Sequence, residues 1–417
     1  MGACIAKDYD VIVVGGGPAG TSASVHLATR GARVALVERD RFPRAKLCGE
    51  FISPECLAHF ARLGVLAEMK EAGGARVGET VFFARSGRRV GVPSAWFGTE
   101  TTGSGEACAL GLSRAEMDHR LMLRARAAGV EVLEEAQVTG VLFGDEGRRV
   151  GGVRVEQRGV VSELRAAISI DATGRARALA RRVEGVAKGK GAGVANEMKA
   201  RAVASPKRMP LVAFKAHLEN AGGGAGICEI YFYRGGYGGL SRVENGLSNL
   251  CFIVAAQDVR ARASDAERVM REIVMSNTRA AETLRGARVS SEWLAVALES
   301  FGRRELVPCD GLLTIGDAAS FIDPFTGSGM LMALESGDLA GACVTRALPD
   351  LRAGKSFASL AEDYRARYRE RFAARLRVCS WLRRAAFAPR LATEAGIIAL
   401  GASERVRRGL ARATRHA

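Results

Sequence analysis

Three short stretches hold residues whose types and spacing could do chemistry. The first is Gly15-Gly-Gly17-Pro18-Ala19-Gly20, a glycine turn set between the β-branched run Asp10–Val14 and a helical stretch, Thr21–Thr29. Gly15 permits a tight turn, Gly17 lets the backbone approach a pyrophosphate, and Gly20 allows close packing of helix on strand. The free N–H groups and the positive dipole end of that helix suit phosphates. A second strand, Arg33–Val37, ends at Glu38, eighteen residues after Gly20 and next to Arg39, where a carboxylate accepts hydrogen bonds from a ribose diol. Glu38 would repel a 2′-phosphate, so the dinucleotide is FAD or NAD rather than NADP. The second stretch is a strand, Ala166–Ile170, ending at Asp171 and turning at Gly174. In the third, the strand Leu312–Ile315 delivers Gly316 and Asp317. A loop from Pro324 to Gly327-Ser328-Gly329 follows, and then a helix over Met330–Leu348 that Pro349 is expected to end.

The Gly316–Asp317 segment and its loop resemble the glutathione-reductase-type flavoproteins of the p-hydroxybenzoate hydroxylase superfamily. The resemblance implies FAD, with Asp317 on the ribityl chain and the helix start at Pro324, Gly327, Ser328, Gly329 and Met330 facing the isoalloxazine. It also implies Asp171 and Gly174 beside the pyrophosphate, in a segment linked to NAD(P)H use. Arg41-Phe-Pro-Arg44-Ala-Lys46-Leu-Cys48-Gly49-Glu50 is similar to the P-x-x-K-x-C-G-E signature of the geranylgeranyl reductase family. Arg114-Ala-Glu-Met-Asp118-His-Arg-Leu121 resembles the same family's R-x-x-x-D-x-x-L segment. Lys46, Cys48, Gly49, Arg114 and Val138 thereby join Gly15, Gly17, Pro18, Ala19, Gly20, Glu38 and Arg39 as expected cofactor contacts. Cys48, as proton donor or redox-sensitive thiol, and Tyr237, as a weaker acid, are the candidate catalytic residues. A single cysteine is more often buried filler, and its place in the motif is what raises Cys48 above that reading.

The expected architecture is α/β: a Rossmann-like FAD-binding domain of the glutathione-reductase type, interleaved with a mostly antiparallel β-sheet substrate domain and followed by a helical C-terminal region. The FAD-binding domain is expected over 1–75, 112–185 and 301–348, the substrate domain over 76–111 and 190–300, and the basic helical region over 349–417. Gly222–Gly226 reads as a hairpin loop, and Lys188–Gly193 lacks P-loop spacing. With no second nucleotide module, NAD(P)H or a ferredoxin-like protein would be a transient electron donor. The family's Y-x-W-x-F-P-like strand corresponds to Gly235–Cys251 without its Trp and Pro. The hydrophobic substrate is therefore left open among isoprenoid, lipid and polyketide-like compounds. Reduction of C=C bonds is the first reading. The alternative is a single-component NAD(P)H-dependent monooxygenase acting on an aromatic or polyketide substrate, and the third a flavin-loaded electron-transfer or binding protein. Halogenation is disfavoured, since Trp96, Trp293 and Trp381 are isolated and no W-x-W-x-I-P motif occurs.

The 417 residues, 48% hydrophobic and 25% charged, suit a globular chain of two to three domains. Nine cysteines without a C-x-x-C pair and five scattered histidines give neither a disulfide framework nor a metal site. Of the net charge of +16, residues 365–417 supply +11, from 14 Arg and 3 Glu. No nucleic-acid-binding signature accompanies that charge. The expectation is a cytoplasmic protein, without a transmembrane run, whose basic tail touches the inner face of the membrane. Tyr364, Tyr368, Phe372 and Leu376 make an amphipathic helix whose stripe either packs on the core or borders a greasy substrate entrance.

Overall fold

The computed structural model describes residues 5–97, 107–144, 149–190, 210–298 and 301–415; Cys4, His416 and residues 191–193 of the glycine run after Lys188 lie outside them. β1 (Ile5–Val14), α1 (Pro18–Ala28) and β2 (Val34–Val37) form a parallel β-α-β unit. Val11 to Val14 are all buried, as a strand covered on both faces requires. Val11 and Val13 face a helix-covered core, while Ile12 and Val14 face a second core. The chain then makes β3 (Phe51–Ile52), α2 (Pro54–Leu63), α3 (Leu66–Glu71), β4 (Ala75–Val77), the hairpin β5 (Glu79–Phe83) and β6 (Arg89–Pro93), and β7 (Ala109–Gly111). After α4 (Arg114–Ala127) it returns through β8 (Glu131–Leu133), β9 (Ala136–Phe143), β10 (Val150–Gln157) and β11 (Val160–Asp171) to α5 (Ala178–Lys190).

The second layer of chain builds β12 (Leu211–Glu219), β13 (Ile227–Tyr233), β14 (Gly236–Arg242) and β15 (Ser248–Ala255). Helices α6 (Ala256–Arg260), α7 (Ala266–Glu272) and α8 (Thr278–Leu284) lead to β16 (Arg288–Val289) and β17 (Leu294–Leu298). The closing segment contains β18 (Gly302–Arg303), β19 (Leu312–Thr314), β20 (Ser320–Phe321), α9 (Gly329–Arg352), α10 (Ala358–Ala386), α11 (Arg390–Ala402) and α12 (Glu404–Ala413).

One register decides where chemistry sits. In the first sheet, ordered β8-β2-β1-β11-β10-β9, β1 and β11 run parallel with Val14 opposite Asp171. β19 joins the far side of β11 with Thr314 opposite Asp171. Three turns far apart in sequence, after Val14, Asp171 and Thr314, thus leave adjacent strands at the same carboxyl end, where open α/β sheets bind ligands. The second sheet, ordered β16-β12-β15-β14-β13-β5-β6 with β17 also on β12, is antiparallel except for the β13–β5 pair. Its alternation separates two environments. Tyr231 and Tyr233 pack with α7 and α8, whereas Phe232, Tyr237 and Ile253 face the closing helices.

The structure corrects three expectations and decides a fourth between its two readings. β3 and β4 both pair with β7 in a small sheet of their own, so the 76–111 segment joins the substrate sheet only through β5 and β6. The Gly222–Gly226 loop is no hairpin: β12 and β13 are separated by β15 and β14, and the loop is a crossover connection. α9 continues past Pro349 to Arg352, because Leu351 is buried and Arg352 pairs with Asp10 at 2.7 Å, which holds the last turn in place. Finally, Tyr364, Tyr368 and Phe372 are fully buried in the helix-covered core and border no entrance; Tyr364 donates its hydroxyl to the carbonyl of Thr314 at 2.7 Å.

Phe372→Ala should therefore cost about 3–5 kcal/mol in a chemical denaturation experiment, the usual effect of truncating a buried aromatic. A change within about 0.5 kcal/mol, as expected of a surface residue, would return the stripe to the surface.

Candidate active site

A single cavity of about 920 Å³ runs from the carboxyl end of the first sheet to the inner face of the second. That is the upper end of the roughly 300–1,000 Å³ found for small-molecule and cofactor sites. Its polar arm starts at the first glycine turn. Gly15 has φ +110°, and a Cβ there would meet the carbonyl oxygen of Ala172 at 2.4 Å. A Cβ on Gly20 would sit 1.9 Å from the Gly15 carbonyl oxygen, so Gly20 packs α1 on β1 and does not line the cavity. Gly17, Pro18 and Ala19 do line it, with Gly17 open apart from the Arg114 guanidinium 3.9 Å from an added Cβ.

Glu38, at the end of β2, is buried and lines the same arm. Its carboxylate accepts from the Gly16 N–H at 2.8 Å and the Asp40 N–H at 3.1 Å, which locks the glycine turn to the second strand. Arg39 is on the rim, mostly exposed, and Val138 lines the wall. Asp118, wholly buried, holds Arg114 through a two-pronged pair at 2.8 and 2.7 Å and accepts from Arg44 at 3.3 Å. Arg44 also reaches Glu38 at 3.4 Å. Lys46 and Arg175 line the cavity too, and burial, reinforced for Lys46 by Arg44, Arg114 and Arg39, pulls both below their ordinary pKa. Asp317 is pushed up by burial, against the pull of Arg175, Arg114 and Lys46. Arg39, Arg44, Lys46, Arg114 and Arg175 thus face the carboxylates of Glu38, Asp118 and Asp317 near a helix N-terminus, a surplus that fits a pyrophosphate.

Gly316 and Gly327 have φ +57° and +60°, conformations that favour glycine, and both line the cavity with Pro324, Gly329 and Met330. Besides Gly20, two further expected contacts do not line the cavity. Asp171 accepts from the Thr173 N–H (3.0 Å) and hydroxyl (2.6 Å) and from the Leu179 (3.0 Å) and Ala180 (2.9 Å) N–H groups. Its carboxylate caps α5 and shapes the 172–176 loop; Gly174 lines the cavity, Asp171 does not. Ser328 turns its hydroxyl toward Thr326 (2.8 Å) and the Cys379 thiol (3.9 Å), away from the cavity.

The apolar arm lies between the second sheet and the closing helices. Phe82, Phe232 and Phe325 cluster there with ring centroids 5.6–6.4 Å apart. Tyr237 lines the arm but donates its hydroxyl to buried Asp323, which also pairs with Arg383 at 2.9 Å. Burial, and then the charge of Asp323, push the phenol well above its usual pKa. Tyr237 is thus a tie between sheet and loop and a poor proton donor. Cys48 and Gly49 line the junction of the arms; the Cys48 carbonyl accepts from Asn249 at 3.0 Å.

A buried network under that junction was not anticipated. Glu50, wholly buried at φ +54°, accepts from Lys215 Nζ at 2.5 Å and the Arg114 N–H at 2.9 Å, and meets His217 Nε2 at 2.7 Å. Burial raises the Glu50 pKa, but His217 and Lys215 outweigh it and leave the carboxyl below its ordinary value. The signal in the sequence was Lys215 and His217 two apart in an otherwise apolar strand, on one face.

With this geometry in view, comparison with known proteins is direct. A model of the FAD binding domain family matches residues 8–350. The chain belongs to that family. Digeranylgeranylglycerophospholipid reductase 2 of Methanopyrus kandleri is 28% identical over 366 residues, covering 88% of this chain and 83% of that protein. The digeranylgeranylglycerophospholipid reductase of Methanosarcina mazei is 27% identical over 371 residues, covering 87% and 81%. A geranylgeranyl bacteriochlorophyll reductase-like protein from Thermoplasma acidophilum has the same fold, with a TM-score of 0.76 at 19% identity over 97% of this chain and 96% of that one. A flavin-dependent brominase shares it equally, with a TM-score of 0.77 at 19% identity, covering 98% and 94%. The chain is an FAD-dependent oxidoreductase, similar along most of its length to proteins named as digeranylgeranylglycerophospholipid reductases. The open Gly17 face, the cationic surplus and Glu38 fit the dinucleotide.

Two measurements follow. Gly17→Glu places a carboxylate where a phosphate belongs and should yield folded protein by circular dichroism that purifies without flavin absorbance. Glu50→Gln leaves Lys215 buried without its counter-ion and should cost about 3–5 kcal/mol near neutral pH in urea denaturation. Because the folded carboxyl lies below its unfolded value, its contribution is complete above the ordinary carboxylate range and is lost as pH falls through the lower, folded value. The gap between wild type and Glu50→Gln should accordingly narrow in acid; a pH-independent gap would contradict the ionised network.

Proposed function

We propose that this flavoenzyme reduces C=C bonds of an isoprenoid chain carried by a lipid. The observation that carries the reading is the continuity of the cavity: a cationic arm suited to the dinucleotide opens directly into an arm walled by Phe82, Phe232, Phe325, Ile253 and Leu298. The relatives named as digeranylgeranylglycerophospholipid reductases support the same substrate class. When bound, FAD supplies the hydride equivalent of such a reduction.

The chain's own residues do the rest. Glu38, Arg44, Arg114 and Lys46 fix the dinucleotide, and Asp118 fixes the two guanidiniums. The apolar arm excludes water and holds the substrate by contact area rather than by hydrogen bonds, as a hydrocarbon demands. The Cys251 and Cys228 thiols in its wall are pushed up by burial, Cys228 to about 12, and so remain neutral. Cys48 Sγ, at the junction of the arms, holds the proton that the second carbon of the double bond must receive. Electrons come from NAD(P)H or a ferredoxin-like protein, which docks transiently.

The test is anaerobic incubation of the dithionite-reduced holoprotein with geranylgeranylated glycerophospholipid, read by mass spectrometry. The expected product gains two hydrogens per double bond. A product that gains oxygen under air, with no anaerobic reduction, would replace the reductase by a monooxygenase. Cys48→Ser should retain bound FAD and lose about 100-fold or more in turnover, the scale of a general acid.

A further inference from the structure

Helix α11 is apolar on both sides. Its inner face, with Thr393, Gly396, Ile397 and Leu400, lines the apolar arm of the cavity. Its outer face is made of Leu391, Ala395, Ile398, Ala399 and Ala402, all exposed, with Leu391 83% and Ile398 52% accessible. These positions recur at helical spacing, so they share one stripe. The helix carries only two charged residues, Arg390 and Glu394, and Glu394 is turned into the fold, accepting from the Ser86 N–H (3.1 Å) and hydroxyl (2.7 Å). A helix apolar all round belongs in a protein core or in lipid, yet half of this one faces out. Trp381 on α10 and Val406 on α12 add two more exposed apolar side chains, so four of the seven large exposed ones among the described residues lie on these three helices.

The same three helices carry exposed arginines. Arg384, Arg390, Arg405 and Arg412 are exposed, and no salt bridge holds them among the described residues. An isologous contact with a second copy would set these cations against one another, whereas an anionic lipid surface would neutralise them. No helix among the described residues is long and apolar enough to cross a membrane. At about 1.5 Å per residue, the 13 residues of α11 span roughly 20 Å, short of the roughly 30 Å hydrocarbon core.

We propose that α11 lies in the plane of an anionic membrane, its Leu391–Ile398 stripe among the acyl chains and its flanking arginines on lipid phosphates, so that its other face takes substrate tails into the cavity. The use made of those tails rests on the reductase reading; the membrane contact itself does not. It replaces the aromatic stripe of α10, which the core already occupies, by a different helix.

Full-length holoprotein is sedimented with vesicles of phosphatidylglycerol or of phosphatidylcholine. Binding to the anionic vesicles is expected, weakened at least about tenfold in L391S/I398S and also in R390E/R405E, with FAD absorbance retained in both. Undiminished binding of L391S/I398S would overturn the insertion and leave charge attraction alone. Absence of vesicle binding, with a concentration-dependent dimer by light scattering that L391S/I398S abolishes, would overturn it in favour of a second copy. A short, water-soluble isoprenoid separates the two readings. Equal turnover by wild type and L391S/I398S is expected, and no turnover by either, with vesicle binding intact, would remove the reductase reading while leaving the membrane contact standing.

Discussion

Glu50 is the point on which the two halves of the molecule are aligned. Its carboxylate, without access to water, touches the first residue of α4, the middle of β12 and, through its own backbone, the loop that carries Lys46 and Cys48. A buried carboxylate is tolerated only with near-complete compensation, and here its cationic partners on β12 lie more than 160 residues away in sequence. The second sheet therefore has little freedom to slide over the first, because a small displacement would leave an ammonium and a carboxylate apart in an apolar interior. The junction of the two cavity arms is the place that this constraint fixes.

How much could be read from the sequence follows the range of each interaction. The glycine turn, Glu38 and the Gly316–Asp317 turn are contiguous with the strands that deliver them, and local pattern sufficed to place them. Asp171 belongs to the same kind of turn, but its orientation is decided by the free N–H groups of α5, which compete for the carboxylate more effectively than a ligand across the loop. Tyr237 and Asp323 meet only because β14 is laid over the loop before α9; nothing near either residue announces the other. The same holds for Lys215 and His217, which looked like strand residues until Glu50 was brought against them. Composition was the weakest guide of all. It counted the arginines of the C-terminal region together, although Arg375, Arg383 and Arg415 are buried or nearly so and bonded to Glu335, Asp323 and the Gly327 carbonyl, while others face outward.

That division gives the C-terminal helices two jobs at once. The buried arginines are ties. Arg415, just beyond the end of α12, donates to the Gly327 carbonyl at 3.1 Å and accepts, through its own carbonyl, from Arg375. Arg383 on α10 holds Asp323, which in turn holds Tyr237 and the Phe325 N–H. The loop that opens α9 is thus gripped from the substrate sheet on one side and from the last helices on the other. A loop with glycine at φ +60° has conformational freedom to lose, and these contacts remove it before any ligand arrives, which is the condition for a preorganised site.

Among the described residues, Arg384, Arg390, Arg405 and Arg412 are in no salt bridge and the stripe of α11 is exposed, and the physical consequence runs back to the same loop. α11 is joined to α12 through Ser403, and Arg415, two residues beyond the end of α12, holds Gly327. A force that seats α11 at a surface therefore acts, through one short helix, on the glycine that flanks the start of α9. That path links the apolar arm of the cavity, which α11 lines, to the loop that opens α9. On the reading proposed above, an enzyme that draws a hydrocarbon chain out of a lipid phase while keeping a charged cofactor in place needs both properties, and the run of chain from Arg383 to Arg415 is where they would meet.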